Sequence, residues 1–220
     1  MPMRYSSFIS RSTFMNCIQS VKLINSFSLL PLSLAIKSND AKCEMLEQKK
    51  ELSLPEELRN YIKHVCPSNP TIINGVGHPI ELLSIEQLSW QMEGYNFDSA
   101  NQKIIKNWQE NWFLIASEGG EPVIINLDDN LDNSVDLSPV YSAMQTSNGW
   151  DFAKVADSIG QYLLSAKAIE HAMNFPNIDQ PIDEDFNLAL PAAHWLFPYL
   201  KKHVANHYDE WASVFENYLD

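Results

Sequence analysis

The feature that most constrains the fold of this chain is a predicted β-hairpin at residues 112–127. Two apolar runs, 112–116 and 122–127, flank a short polar turn that contains Gly119 and Gly120. Glycine adopts positive φ without a Cβ penalty, so this pair favours a tight hairpin turn. Because both runs are apolar at nearly every position, we expect the hairpin to lie in the middle of a sheet that is covered on both faces.

Periodic patterns on either side of the hairpin predict further elements. The predicted strands lie at 80–83, 139–144 and 150–156, with 71–77 as a loop or short strand. The predicted helices begin at Pro55, at Ser84, at Ser158, at Pro191 or Pro198, and close to Trp211. The helix from Ser84 should end near Gly94, and the helix from Ser158 should carry one apolar stripe. These elements together predict an α+β fold.

The first 44 residues differ in composition from the rest. Residues 1–39 hold four basic side chains and no acid, whereas the remaining residues hold 11 basic and 28 acidic ones. The apolar run at 23–36 is interrupted by Pro31 and is too short for a transmembrane helix. A secretory signal fits poorly, because no small-x-small cleavage site follows the run.

Three interpretations of residues 1–44 remain open. These residues are an ordered extension that packs on the body, or a cleaved leader of the mitochondrial-transit type, or a stretch that lies upstream of a natural start at Met45. In the first interpretation the packing side chains are Phe8, Phe14, Ile18 and Phe27.

Charge and cysteine content restrict the partners and the compartment. The formal charge of −13 disfavours nucleic acid and anionic membranes, because phosphate binding needs clustered Lys and Arg. It would suit a basic protein partner, although acidity also serves solubility alone. Cys17, Cys43 and Cys66 are odd in number and lack a CxxC motif, which indicates reduced thiols in a cytoplasmic protein.

The strongest metal-like pattern is His203 and His207, which are one helical turn apart. Zinc enzymes use this spacing, but with a Glu beside the first His as the base, and here Val204 stands there. Packing of both histidines on a helix face explains the spacing equally well. We therefore expect no metal, and a metal-dependent hydrolase is the least favoured function.

Other candidate motifs are incomplete. Counting from Asp128, an EF-hand loop would need Gly and Glu where Asn133 and Pro139 stand. Glu118 and Glu121 flank the hairpin turn, where carboxylates are usually solvated and not catalytic. A nucleophile elbow, a P-loop and a dinucleotide fingerprint are all missing. These observations predict a protein that is not an enzyme and that needs no cofactor.

Several short motifs, in order, resemble those of the SUKH superfamily. They are LPEEL at 54–58, the hairpin at 112–116 and 119–127, PVY at 139–141, and VADSI at 155–159 with Tyr162 and Leu163. Ile159 stands where the family usually has an aromatic residue. The superfamily includes fungal cell-wall assembly regulators of the Smi/Knr type and many bacterial toxin-immunity proteins.

The resemblance implies a fold and a division of the chain. The fold is α+β, with a curved, mixed or antiparallel sheet of about four to six strands, surrounded by helices and followed by a C-terminal helical extension. The SUKH-like domain is expected at 45–175. Residues 1–44 form the N-terminal extension or leader, and 176–220 form the helical extension packed on the domain.

The resemblance also implies binding of protein without a catalytic set of residues. The leading hypothesis is a cytoplasmic immunity protein that neutralises a basic toxin domain, such as a nuclease, by direct binding; the alternative is an intracellular regulatory scaffold. A small-molecule ligand is not expected. From charge alone, we place the protein-binding surface at Glu118, Glu121, Asp128, Asp129 and Asp132.

Overall fold

A six-stranded antiparallel sheet forms the centre of the fold. The computed structural model describes residues 15–35, 37–105, 108–130, 137–147 and 149–219. The protein has eight described strands: β1 (Thr71–Ile73), β2 (Ile80–Leu82), β3 (Phe97–Asp98), β4 (Lys103–Ile104), β5 (Trp112–Glu118), β6 (Glu121–Asn126), β7 (Val140–Thr146) and β8 (Gly149–Ala156). The central sheet has the order β1-β2-β5-β6-β7-β8, and neighbouring strands are antiparallel. β3 and β4 form a separate two-stranded sheet.

Helices pack around this sheet. They are α1 (Cys17–Ile24), α2 (Asp40–Lys50), α3 (Glu56–Asn60), α4 (Ile159–Met173), α5 (Leu190–His203) and α6 (Tyr208–Ala212). α3 continues into a π-helical turn at Tyr61–Val65, and 3-10 turns cover Leu127–Asn130 and Ala205–His207. Both α1 and α5 pack against α4. The predicted α+β fold with a C-terminal helical part is confirmed.

The predicted hairpin is confirmed as the middle of the sheet. β5 and β6 occupy its third and fourth positions, and residues 113–116 and 122–125 are buried. Gly119 and Gly120 form the turn with φ of +57° and +92°, where a residue with a Cβ would be strained. Turn chemistry and apolar runs, both local in sequence, were therefore enough to predict these two strands.

The other predicted strands are present, and one hairpin was missed. The predicted strands at 80–83, 139–144 and 150–156 correspond to β2, β7 and β8. The missed hairpin is β3–β4, in a part of the chain where the sequence predicts no strand. Each of its strands has two residues and β4 is exposed, so no apolar run marks them in the sequence.

The helix predicted from Ser84 to Gly94 is wrong. The capping-box hydrogen bonds do form, since the Ser84 N–H donates to Gln87 Oε1 at 2.8 Å and the Gln87 N–H donates to Ser84 Oγ at 3.4 Å. The chain then makes a single turn. Asn96 binds the backbone at Trp90 and Met92, which holds the following residues in a loop. A cap stabilises one turn, and side-chain competition for the backbone decides whether a helix continues.

The helix predicted from Ser158 is confirmed, but its burial differs from the prediction. Ser158 is the N-cap, and its hydroxyl accepts a hydrogen bond from the Gln161 N–H at 2.9 Å. Instead of one apolar stripe, α4 is buried on all sides, because α1 and α5 cover the face that would otherwise meet solvent. α1 approaches so closely that a Cβ at Gly160 would lie 2.5 Å from the Met15 carbonyl oxygen.

Two buried acids connect α4 to the rest of the fold. Glu57 of α3 accepts hydrogen bonds from the N–H groups of Ser138, Ile159 and Gly160. Burial raises the pKa of Glu57 to about 7, although these three donors act in the opposite direction. Glu170 forms a buried ion pair with Lys167, and it also accepts from the Asn74 N–H at 2.9 Å.

The N-terminal segment packs on the body where it is described. Cys17, Val21 and Ile24 of α1 are fully buried, and Ile18 and Phe27 are partly buried against the same core. Phe8 and Phe14 lie outside the described residues.

The C-terminal segment begins with α5, which has Pro191 in its first turn and Pro198 inside the helix. The last helix, predicted to begin close to Trp211, is α6; it begins at Tyr208 and ends at Ala212, and turns follow it. Trp211 and Phe215 still bury their rings in the core.

Candidate protein-binding site

The structure separates the predicted interface residues into two groups. Glu118 and Glu121 lie on either side of the turn at the tip of the β5–β6 hairpin. Asp128 and Asp129 lie in the 3-10 turn that follows β6, at the opposite end of the hairpin. Asp132 lies outside the described residues. The four described acids therefore lie at two ends of the hairpin, and their contact with a protein partner stays a prediction.

A cavity opens beside the hairpin tip. It has a volume of about 220 Å³ and lies between the sheet, α4 and α6. The register places Ile80 opposite Glu118, so both side chains project from the same face of the sheet. Other lining residues are Ser142, Val155, Tyr162, Ile169, Glu210 and Trp211.

Two polar side chains of this cavity, Tyr162 and Glu118, lack hydrogen-bond partners among the described residues. The Tyr162 side chain is 1% exposed, and its hydroxyl makes no hydrogen bond within the described part of the chain. Within the same ranges, the Glu118 carboxylate forms no hydrogen bond or ion pair. Burial raises the pKa of Glu118, the charge of Glu121 raises it further, and His78 acts in the opposite direction. Burial, followed by the charge of Glu118, also raises the pKa of Tyr162.

A shallower depression of about 380 Å³ continues from the cavity. It shares Glu118 and Ser142 with the cavity and adds His78, Glu121 and Asp151. We call the cavity and the depression together the tip groove. Carboxylates from four positions line it, and no Lys or Arg is found among its described lining residues. The tip groove is therefore a concave, negatively charged surface.

The acids at the base of the hairpin are used internally. Asp128 accepts a hydrogen bond from the Asn111 side-chain amide. Asp129 accepts from the Asn126 amide at 3.1 Å and from the Tyr141 hydroxyl at 2.5 Å. These bonds close the base of the hairpin, so the oxygens of Asp128 and Asp129 are less free for a partner than those of Glu118. At the tip, Glu121 accepts a hydrogen bond from the Gln145 N–H at 3.0 Å.

Sequence reasoning missed several groups of the tip groove. Tyr162 and Trp211 belong to predicted helices, and an aromatic side chain in a helix does not reveal whether its polar atom meets a cavity. Asp151 was placed within a strand. Its alternation with Trp150 and Phe152 could have shown that it projects from the opposite face, but not which surface it joins.

A second surface was also missed, on the other face of the sheet from Glu118. Five half-buried aromatic side chains form a continuous series of ring contacts, with Trp112 and Phe152 at 4.4 Å and Trp108 and Trp112 at 5.6 Å. We call them the aromatic cluster: Tyr95, Trp108, Trp112, Trp150 and Phe152. The sequence separates them by up to 57 positions, which is why no local pattern indicated the cluster.

The predicted one-turn spacing of His203 and His207 on a helix is wrong. α5 ends at His203, and His207 belongs to the following 3-10 turn. The His203 ring packs on Tyr199 at 4.5 Å, and His207 Nε2 lies 3.2 Å from Asp157 Oδ1. Among the residues that the structure describes, no three His, Cys, Asp or Glu side chains are grouped to hold a metal ion.

The family of the chain follows from comparison with known protein families. The model of the SMI1 / KNR4 family (SUKH-1) matches residues 38–165, which is more than half of the chain. The chain belongs to this SUKH-1 family. No curated protein and no solved structure matches it. The SUKH resemblance and its α+β fold are thus confirmed, and the family supports a SUKH-domain protein without catalytic activity.

The matched range bears on the architecture of this SUKH-1 protein. It runs from just before α2 to Ser165 within α4 and therefore contains the whole six-stranded sheet. α1, α5 and α6 lie outside the match, although α1 and α5 pack on α4. Glu118 and Tyr162 of the tip groove lie within the match, whereas Trp211 comes from the segment beyond it. None of the helices in the described ranges has the length and apolar character to cross a membrane.

Proposed function

We propose that this SUKH-1 protein is an immunity protein that neutralises a basic toxin domain by binding it directly. The observation that carries the proposal is the tip groove, where carboxylates line a concavity without a compensating Lys or Arg among the described lining residues. Family membership supports protein binding in general. A nuclease domain is a suitable basic partner, because its substrate-binding surface must itself be positive.

The proposed mechanism is electrostatic. The net charge of −13 attracts a basic domain from a distance and raises the rate of encounter. At close range, carboxylates of the tip groove would take the positions that nucleic-acid phosphates occupy on a nuclease. Three buried free thiols, Cys17, Cys43 and Cys66, support a cytoplasmic location, since such thiols persist in a reducing compartment.

The proposal is tested with the product of the neighbouring gene. We expect a tight complex by titration calorimetry, an association rate that falls with added salt, and restored growth when the two proteins are co-expressed. The paired variant Glu118→Gln/Glu121→Gln should lose protection, while Asp128→Asn/Asp129→Asn should retain it. Absence of any complex together with absence of protection would contradict the proposal.

The aromatic cluster favours a second candidate, a regulatory scaffold that holds two partners. It lies on the face of the sheet opposite Glu118, and Trp and Tyr are the residues most enriched at binding hot spots. A scaffold should capture two different proteins at once, one lost with the tip-groove variant and the other lost with Trp150→Ala. Capture of a single protein that depends only on the tip groove would favour the immunity function.

A further inference from the structure

The cavity of the tip groove has an unpartnered phenol in its wall. The Tyr162 hydroxyl is buried without a hydrogen bond among the described residues. An unsatisfied buried hydroxyl destabilises a folded chain by roughly 1–3 kcal/mol, and a ligand group that bonds to this hydroxyl would remove that cost. Here the phenol is held in place by its contact with Trp211, whose ring centre lies 5.5 Å away.

The other walls of the cavity suit a long, partly apolar cation. Glu118 supplies an unpaired carboxylate, and Glu210 lies at the same cavity. Ile80 and Ile169 supply apolar surface for a methylene chain. The Trp211 indole N–H is already bound to the Val155 carbonyl at 2.8 Å, which fixes the ring in the cavity wall.

The size of the cavity restricts the occupant further. At about 220 Å³ it is smaller than the ~300–1,000 Å³ typical of drug-sized ligands, and it matches a single side chain. An anion would meet the carboxylate of Glu118. A metal ion would need a group of ligands that the described residues do not provide.

We infer that this cavity is an anchor pocket for one arginine side chain of the basic protein partner. Its guanidinium pairs with Glu118 and donates to the Tyr162 hydroxyl, while its methylene groups lie along Ile80 and Ile169. Arginine fits better than lysine, because the planar guanidinium has five donors, is less strongly hydrated and stacks on aromatic faces. This inference rests on the proposed function and names the partner chemistry of the same groove.

The test uses the full chain and a small probe, so it does not depend on identifying the partner. N-acetyl-L-arginine methylamide is titrated in physiological salt while amide and indole signals are followed by NMR. N-acetyl-L-citrulline methylamide serves as the matched control, since it has the same shape without the charge. We expect saturable shifts at the Trp211 indole and at Ser142 with the arginine probe, and no saturable shift with citrulline.

Variants separate the pocket from general attraction to an acidic protein. Glu118→Gln should weaken probe binding about tenfold or more, because a charged hydrogen bond is lost. Tyr162→Phe should weaken it about threefold without loss of folding, because its hydroxyl has no protein partner to lose. Asp128→Asn removes the same charge at the base of the hairpin and should leave probe binding unchanged.

Several results would overturn the anchor pocket. They are the absence of saturable shifts at Trp211, equal shifts with citrulline, or equal weakening by Glu118→Gln and Asp128→Asn. These results leave the immunity function open to its own test. If the neighbouring gene product binds and its affinity survives Glu118→Gln, the function stands and the pocket fails. If the arginine probe binds in the expected way and no such complex exists, the pocket stands and the immunity function fails.

Discussion

At the tip of the β5–β6 hairpin, the carboxylate of Glu118 has no hydrogen-bond partner among the described residues, whereas at the base Asp129 accepts from two side chains. In the sequence these acids look alike, since all flank the same pair of apolar runs. The difference shows that acidic charge has two uses in this fold. At the base it closes the end of a sheet, and at Glu118 it remains available to a partner.

The largest expected effect is on binding of a basic partner. Glu118→Lys should weaken the complex with the neighbouring gene product by about 100-fold, because a buried contact between opposite charges becomes a contact between like charges. Asp128→Lys changes the net charge by the same amount at the base and should weaken binding less than threefold. Calorimetric titration of both variants at one salt concentration measures the contrast. Equal losses would show that only the overall charge matters.

A matched pair of Tyr→Phe variants gives the next largest effect, on stability. The Tyr141 hydroxyl donates to Asp129 at 2.5 Å, so Tyr141→Phe should lower the free energy of unfolding by about 1–2 kcal/mol. Tyr162→Phe removes a buried hydroxyl without a described partner and should therefore raise the free energy of unfolding by about 1–3 kcal/mol. Urea unfolding followed by tryptophan fluorescence measures both. A large loss for Tyr162→Phe would mean that its hydroxyl has a partner after all.

The smallest expected effect is a pH dependence. Burial raises the pKa of Glu118, so the folded chain holds this proton more tightly than the unfolded chain does. The contribution of Glu118 to stability is therefore present at low pH and is lost as pH rises through its raised pKa. The difference in unfolding free energy between the natural chain and Glu118→Gln should fall as pH increases from the ordinary carboxyl range.

Asp157 provides a control, because its contribution to stability should change with pH in the opposite direction. Burial acts to raise its pKa, but hydrogen bonds from Lys154 and His207 outweigh burial and lower it. Its contribution to stability is present above the ordinary carboxyl pKa and is lost as pH falls through the lowered value. The difference in unfolding free energy between the natural chain and Asp157→Asn should therefore grow as pH increases. Slopes of the same sign for the two variants would contradict the assigned environments.

Local patterns predicted the parts of the fold that local physics decides. The Gly119–Gly120 turn, the apolar runs beside it and the Ser158 cap all depend on residues within a few positions of one another, and all are confirmed. The helix predicted from Ser84 failed although its cap forms, because Asn96 supplies other partners for the backbone. That competition is invisible to a helix-start pattern.

Long-range packing decided the rest. α4 is buried on all sides because α1, from the start of the chain, and α5, from its last third, both pack on it. The sequence distinguishes its apolar from its polar positions, but it does not show that Lys167 and Glu170 pair inside the protein. Burial of such positions depends on which distant helices arrive there.

The candidate site divides in the same way. By itself, the sequence determined the SUKH-1 domain, the central hairpin and the acidic charge, because family motifs, turn residues and side-chain charges are properties of short segments. Only the tertiary structure decided which acids are free. The hydrogen-bond partners of Asp129 are three and twelve positions away, whereas the cavity beside Glu118 forms where β2, α4 and α6 meet. The charge of an acidic residue can be read from the sequence, but the fold decides which neighbours are available to bind its carboxylate.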